Sequence, residues 1–177
     1  MKMNKIIKKI RLSSQKGVTI VELLLYMSIL SVLLTILTSV FVSALDVQSE
    51  SNAVSSVEQD GNYIIARLAY DVHRAQSINI PVSNGSPATD NFQIVVGGVN
   101  YTYSIDANNN LILTNNLGVN NLNNYGTSVS ALSVQRLGNT GKVENTLKIN
   151  FTVTSRTKRV SGFETKNFQT NLSLRRQ

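Results

Sequence analysis

The sequence predicts an α+β protein: a long N-terminal α-helix, membrane-spanning in its first half, packed on a C-terminal antiparallel β-sheet head. Three observations lead there. The 23 positions from Leu23 to Leu45 hold no charge, proline or glycine, and about 20 apolar residues suffice to cross a bilayer as helix. Beyond Asp46, apolar residues return at intervals of three, four or seven up to Ala75, close to the helical period of 3.6. After Asp90, short alternating runs are separated by glycine- and asparagine-bearing breaks, as strands joined by hairpins are.

Composition supports a chain that spends part of its length on a membrane. Charged residues make up 15%, against about 25% in ordinary soluble domains. The net charge of +7 is local. Six of the 17 basic residues (Lys2, Lys5, Lys8, Lys9, Arg11 and Lys16) precede Gly17 without an acid among them, which leaves 11 basic against 10 acidic residues in the remainder. A near-neutral body with a basic tip does not support a whole-surface nucleic-acid footprint, so nucleic acid is not an expected partner. There is no cysteine, which excludes disulfides, thiolate metal sites and cysteine nucleophiles. No metal or cofactor is expected.

The basic residues ahead of the apolar run are expected in the cytoplasm by the positive-inside rule, with everything after Asp46 across the membrane. Three readings compete for the run itself. It fits a plain signal anchor. It fits a secretory signal cut after Ala44, since Val42-Ser43-Ala44 is a small-residue site, although secretory apolar regions are only about 7–15 residues long. The third reading rests on Gly17 and Glu22. Glu22 stands five positions after Gly17, at the front of the run. A carboxylate there costs several kcal/mol of desolvation unless it finds a partner, and an intramembrane acid marks function by default.

The string Lys16-Gly17-Val18-Thr19-Ile20-Val21-Glu22-Leu23-Leu24 resembles the prepilin processing motif of type IV pilins and type II secretion pseudopilins. The resemblance implies a leader cut after Gly17 by a membrane-embedded prepilin peptidase, which also methylates the new N-terminus at Val18. It makes Glu22 the family's fifth-position glutamate. Lys8, Lys9, Arg11 and Lys16 become leader charges. The chemistry agrees: cleavage leaves an ammonium on Val18 at membrane depth, where Glu22 of a neighbouring subunit can pair with it or with the Thr19 amide. Each buried charge is costly alone and tolerable when paired. Two features depart from the family's habit. Val18 replaces the usual Phe or Met, and the prolines are Pro81 and Pro87, so none bends the membrane helix.

Val47, Val54, Val57, Gly61, Ile64, Leu68, Val72 and Ala75 form one apolar stripe, with Glu50, Glu58, Asp60, Arg67, Asp71 and Arg74 expected on the opposite face. The helix is therefore expected from Val18 to about Ala75, with Gly61 a weak point in its continuity. The stretch from Glu58 to Ala75, with its acidic-glycine-aromatic step and its Arg67-Leu68…Asp71-Val72…Arg74-Ala75 ending, resembles J-type minor pseudopilins and the minor pilins called W. That resemblance implies a minor, filament-tip role.

Ser77–Asp90, with both prolines, reads as a connecting loop. Strands are expected at Phe92–Val96 and Val99–Ile105 around a Gly97-Gly98 turn, then at Leu111–Thr114 after an Asp106–Asn110 turn. An asparagine-rich stretch follows to about Gly126, and further strands at Val129–Leu137, Leu147–Ser155 and Phe163–Leu174.

Other motifs carry less. His73 is the lone histidine, and Asp71, two residues away, cannot face it on a helix, so hydrolase chemistry does not follow. Asp106-Ala107-Asn108-Asn109-Asn110 echoes a calcium loop but lacks its glycine and distal glutamate, so a hairpin turn is favoured. Arg156, Lys158 and Arg159, with Arg175 and Arg176, form basic clusters without an interleaved aromatic platform.

The expected organisation is a basic leader over 1–17, the transmembrane helix over 18–45, the amphipathic exoplasmic helix over 46–76 and the β-rich head over 77–177. The expected protein is a non-enzymatic minor pilin or pseudopilin precursor in the cytoplasmic membrane, later in a pilus or pseudopilus. Its expected partners are prepilin peptidase, other subunits, an inner-membrane assembly platform and lipid. The competing reading is a membrane-anchored binding protein or enzyme whose function resides in the head.

Overall fold

The computed structural model describes residues 17–82, 87–138 and 146–174. Residues 1–16 of the expected leader, residues 83–86 of the expected loop, and Arg175 and Arg176 lie outside them. The architecture is α+β: among the described residues, helix α1 (Ile20–Arg74) is followed by eight strands, all paired antiparallel. The chain divides into two compact units, Met1–Ser43 and Ala44–Gln177.

In the first unit, every described residue is exposed. An 18-residue window of α1 reaches a mean hydropathy of 2.4 with none of it buried. A core helix of a soluble domain would be covered by its own chain. This one is not, and it is long and apolar enough to cross a membrane.

In the second unit, α1 continues and packs on two sheets. Strands β1 (Ser77–Ile80), β2 (Phe92–Val96), β3 (Val99–Ile105), β4 (Leu111–Asn115) and β5 (Gly118–Asn121) follow in spatial order. Strands β6 (Thr127–Leu137), β7 (Thr146–Arg159) and β8 (Gly162–Ser173) form the other sheet. Val57, Ile64, Leu68 and Val72 of α1 share one core with Phe92, Ile94, Tyr103, Leu111, Val134, Ile149 and Phe151. Each such side chain contributes about 1.5–3 kcal/mol when fully buried. Cross-strand pairs fix register: Phe92 opposes Tyr103 with centroids 4.4 Å apart, and Phe151 opposes Phe168 at 5.5 Å.

Local chemistry explains where elements begin and end. The helix starts two residues later than expected because Thr19 caps it, and it stops at Arg74 because the Gln76 amide turns to the Val95 carbonyl at 2.7 Å. Gly97 and Gly98 both take positive φ, 59° and 77°, as a two-residue hairpin turn requires. Gly61 does not interrupt α1. A Cβ there would stand 2.0 Å from Phe168 Cζ, so the glycine allows the helix to approach the sheet.

Several expectations need correction. Ser77–Ile80, expected as loop, is strand β1, because Ile78 finds an apolar place in the core. The asparagine-rich stretch contains β5, paired with β4. Val47, placed on the apolar stripe, is 69% exposed, whereas Ala53 takes the buried position. Asp60 and Asp71, placed on the polar face, are buried. Asp60 accepts hydrogen bonds from the Asn124 amide at 3.0 Å and from the Thr127 hydroxyl. Asp71 Oδ2 accepts from Arg67 Nε at 2.8 Å and Tyr103 Oη at 2.5 Å. Charged groups sit inside when such partners compensate their desolvation.

Candidate functional site

The site singled out in the sequence lies where the described chain begins. Gly17, Val18 and Thr19 precede the helix in non-helical conformation, all exposed. A Cβ on Gly17 would meet nothing within 4 Å. The fold itself therefore makes no demand for glycine at this position.

Thr19 is the N-cap. Its Oγ1 accepts from the Glu22 backbone amide at 3.2 Å, and its carbonyl accepts the first helical bond from the Leu23 amide at 3.1 Å. Thr-x-x-Glu is the sequence form of a capping box. Here only one leg of it is made. Among the described residues no hydrogen bond joins the Glu22 carboxylate to the Thr19 amide. Instead Glu22 Oε1 accepts from the Tyr26 hydroxyl at 2.8 Å, one helical turn on. Tyr26 is absent from the candidates drawn from the sequence, although its i+4 spacing was the available signal. A carboxylate in the first turn also faces the positive end of the helix dipole. The structure thus gathers Thr19, Glu22 and Tyr26, while Val18, 63% exposed, makes no such contact. The leader charges Lys8, Lys9, Arg11 and Lys16 lie outside the described residues.

Among the described residues no group of three or more His, Asp or Glu side chains is placed to hold a metal ion. Asp106 uses its carboxylate within the hairpin: Oδ1 accepts from the Asn108 and Asn110 amides at 2.9 and 2.7 Å, and Oδ2 from Asn110 Nδ2 at 3.1 Å. These bonds, the Asn110 amide first, hold its carboxyl below the usual carboxylate range. His73 Nδ1 lies 3.1 Å from the Ser173 carbonyl oxygen. The basic cluster is partly neutralised, with Arg159 paired to Glu50 at 2.9 Å and Glu164 at 2.7 Å.

Residues 12–38 match a family model described as the prokaryotic N-terminal methylation motif. The chain carries a prokaryotic N-terminal methylation motif. The match spans the capped helix start from Gly17 to Tyr26 and ends inside the apolar part of α1. It supports the type IV pilin and pseudopilin family, and with it a structural subunit precursor processed by prepilin peptidase and assembled with other pilin subunits. The exposed apolar helix and the motif together fit a membrane-anchored pilin. No curated protein and no solved structure matches the chain.

Proposed function

We propose that this chain is the precursor of a minor pilin or pseudopilin. It enters the cytoplasmic membrane once, with the basic leader over 1–17 in the cytoplasm and the head over 77–177 outside. The helix holds the bilayer over 18–45 and is exoplasmic over 46–76. Prepilin peptidase cuts between Gly17 and Val18 and methylates Val18, and an assembly platform then moves the subunit from lipid into a filament. The observation that carries this reading is the methylation motif laid over a glycine that the fold does not require, just before an uncovered apolar helix.

Assembly follows from the same chemistry. A methylated ammonium on Val18 and the Glu22 carboxylate are each costly inside a membrane and tolerable together. Within one chain Glu22 keeps one carboxylate oxygen on Tyr26, and the other is available to a neighbour. Pairing then favours subunits whose stagger brings Val18 of one beside Glu22 of the next. The tip role rests on the resemblance carried by residues 58–75.

Intact mass and N-terminal sequencing of the protein from its native membrane test the proposal. The expected product begins at a methylated Val18. A chain beginning at Leu45 would identify a secreted soluble protein and end the filament reading. A chain with its leader intact would leave a plain anchor.

A further inference from the structure

The head contains a cleft of about 290 Å³ that neither the methylation motif nor the sheet packing uses. Asn108, Asn121, Asn123, Asn124, Tyr125 and Arg156 line it, and no aliphatic side chain among the described residues does. Small-molecule sites are usually about 300–1,000 Å³ and mostly apolar. This cleft lies just below that range and is opposite in chemistry, so it suits a single polar ring.

Its floor is built and its rim is free. Asn123 is buried: its Oδ1 accepts from the Leu111 amide at 2.9 Å, and its Nδ2 donates to the Thr127 carbonyl at 3.1 Å. Asn124 Nδ2 donates to Asp60 on α1 at 3.2 Å. These amides are committed to structure and hold the floor rigid. The side-chain amides of Asn108 and Asn121 make no hydrogen bond among the described residues. Tyr125, at the turn before β6, is 91% exposed, with the Arg156 guanidinium carbon 5.8 Å from its ring centroid.

Arg156 decides the charge of the ligand. Its Nε donates to the Thr127 carbonyl at 2.9 Å, and one terminal nitrogen donates to the Asn108 carbonyl at 2.8 Å and to Asn110 Oδ1 at 3.2 Å. Asp106 interacts with it electrostatically. With Nε and one terminal nitrogen so engaged, the bidentate fork by which arginine captures phosphate or carboxylate is taken up, and only the second terminal nitrogen is left as a donor. The remaining groups are amides, which both donate and accept, and one amphipathic aromatic face.

We propose that this cleft binds a neutral sugar ring. The amides of Asn108 and Asn121 meet its hydroxyls, and the Tyr125 ring covers its C–H face. The inference does not depend on filament assembly.

The test uses the full-length chain in a detergent without a sugar headgroup, titrated by ligand-observed NMR with methyl glycosides of glucose, galactose, mannose and N-acetylglucosamine. Inorganic phosphate and sialic acid serve as anionic probes. At least one neutral glycoside should bind with Kd of about 1 mM or tighter. Tyr125→Ala and Asn121→Ala should each weaken it about tenfold, about 1.4 kcal/mol, with Tyr125→Phe retaining binding. Both side chains are exposed, and an unchanged melting temperature checks that the variants fold. Binding of the anions alone would overturn the proposal. So would no neutral binding at about ten times that concentration, or binding indifferent to both alanine variants.

Discussion

Two stretches of helix α1 differ in who covers them. From Ile20 to Gln48 every residue is exposed, although the run from Leu23 to Leu45 is apolar on all sides. From Ala53 to Val72 the helix buries one stripe against its own sheets and leaves the other face to solvent. A helix apolar all round needs a cover on every side, and an amphipathic one needs it on one side. The second stretch is therefore completed within the chain. The first must be completed from outside it, by lipid and, under the proposed function, later by neighbouring helices. Substitutions in the first stretch should alter processing and assembly while leaving head stability unchanged. Substitutions in the second should do the reverse.

The largest expected effect is on assembly. Glu22→Ala should reduce incorporation into filaments about tenfold or more, since even a 1.4 kcal/mol pairing is a factor of about 10. The melting temperature of the head should not move. Counting the variant against wild type in sheared filaments measures the first, and a thermal melt in detergent the second. Normal assembly of Glu22→Ala would remove the pairing step from the proposal.

Asp71→Ala attacks the covered stretch. It removes the partner of Arg67, whose side chain is 35% exposed, and strands the buried Tyr103 hydroxyl, and an unpaired buried polar group costs about 1–3 kcal/mol. A drop of about 10 °C in melting temperature is expected, with processing at Gly17 intact by mass. The same cluster gives an alkaline signature. Burial first, and then Asp71, pushes the Tyr103 hydroxyl well above its ordinary range. A raised folded value means its stabilisation is complete below the unfolded pKa of about 10 and is lost as pH rises beyond it. Tyr103→Phe should flatten the decline in stability above that pH.

Gly61→Ala separates helix propensity from packing. Alanine is favoured in a helix by about 0.8–1.0 kcal/mol. Its Cβ would nevertheless lie 2.0 Å from Phe168, a buried ring stacked on Phe151. Overpacking of that kind costs about 1–3 kcal/mol, so a net loss of up to about 2 kcal/mol is expected in a urea melt. A stabilised variant would mean that the ring swings clear.

These residues also mark what could be read in the sequence. The apolar run, the Gly97-Gly98 hairpin and the alternation of β7 follow from composition and period, which local order carries in full. Asp60 and Asp71 were misplaced although their positions complete the three-and-four spacing of Ala53, Val57, Ile64, Leu68 and Ala75. Their residue type argues for solvent while their angle on the helix points to the core. What made their burial tolerable was remote: Thr127 lies 67 positions from Asp60, and Tyr103 lies 32 from Asp71. Strand β5 was hidden for a related reason, since asparagine disfavours strands and its pairing comes from β4. At the helix start, Thr19 and Glu22 stood out in the sequence for their spacing from Gly17. Tyr26, one turn on, lies within the apolar run, and only its spacing from Glu22 marks it.

The smallest effect belongs to Asp106, far along the chain from the membrane segment. Its carboxylate accepts hydrogen bonds from Asn108 and Asn110, and these, with the charge of Arg156, outweigh its desolvation and lower its pKa. A depressed folded value means the stabilisation is complete above the unfolded pKa of about 3.9 and is lost as pH falls through the folded one. Asp106→Asn keeps an acceptor oxygen but not the charge. The variant should be slightly less stable than wild type at neutral pH, and the gap should close in acid below about pH 4. Calcium should leave both melting temperatures unchanged, because the wild-type carboxylate is already occupied by the turn. A calcium-dependent rise in wild type alone would show that the ion competes successfully for those oxygens, and the hairpin would then be a metal loop.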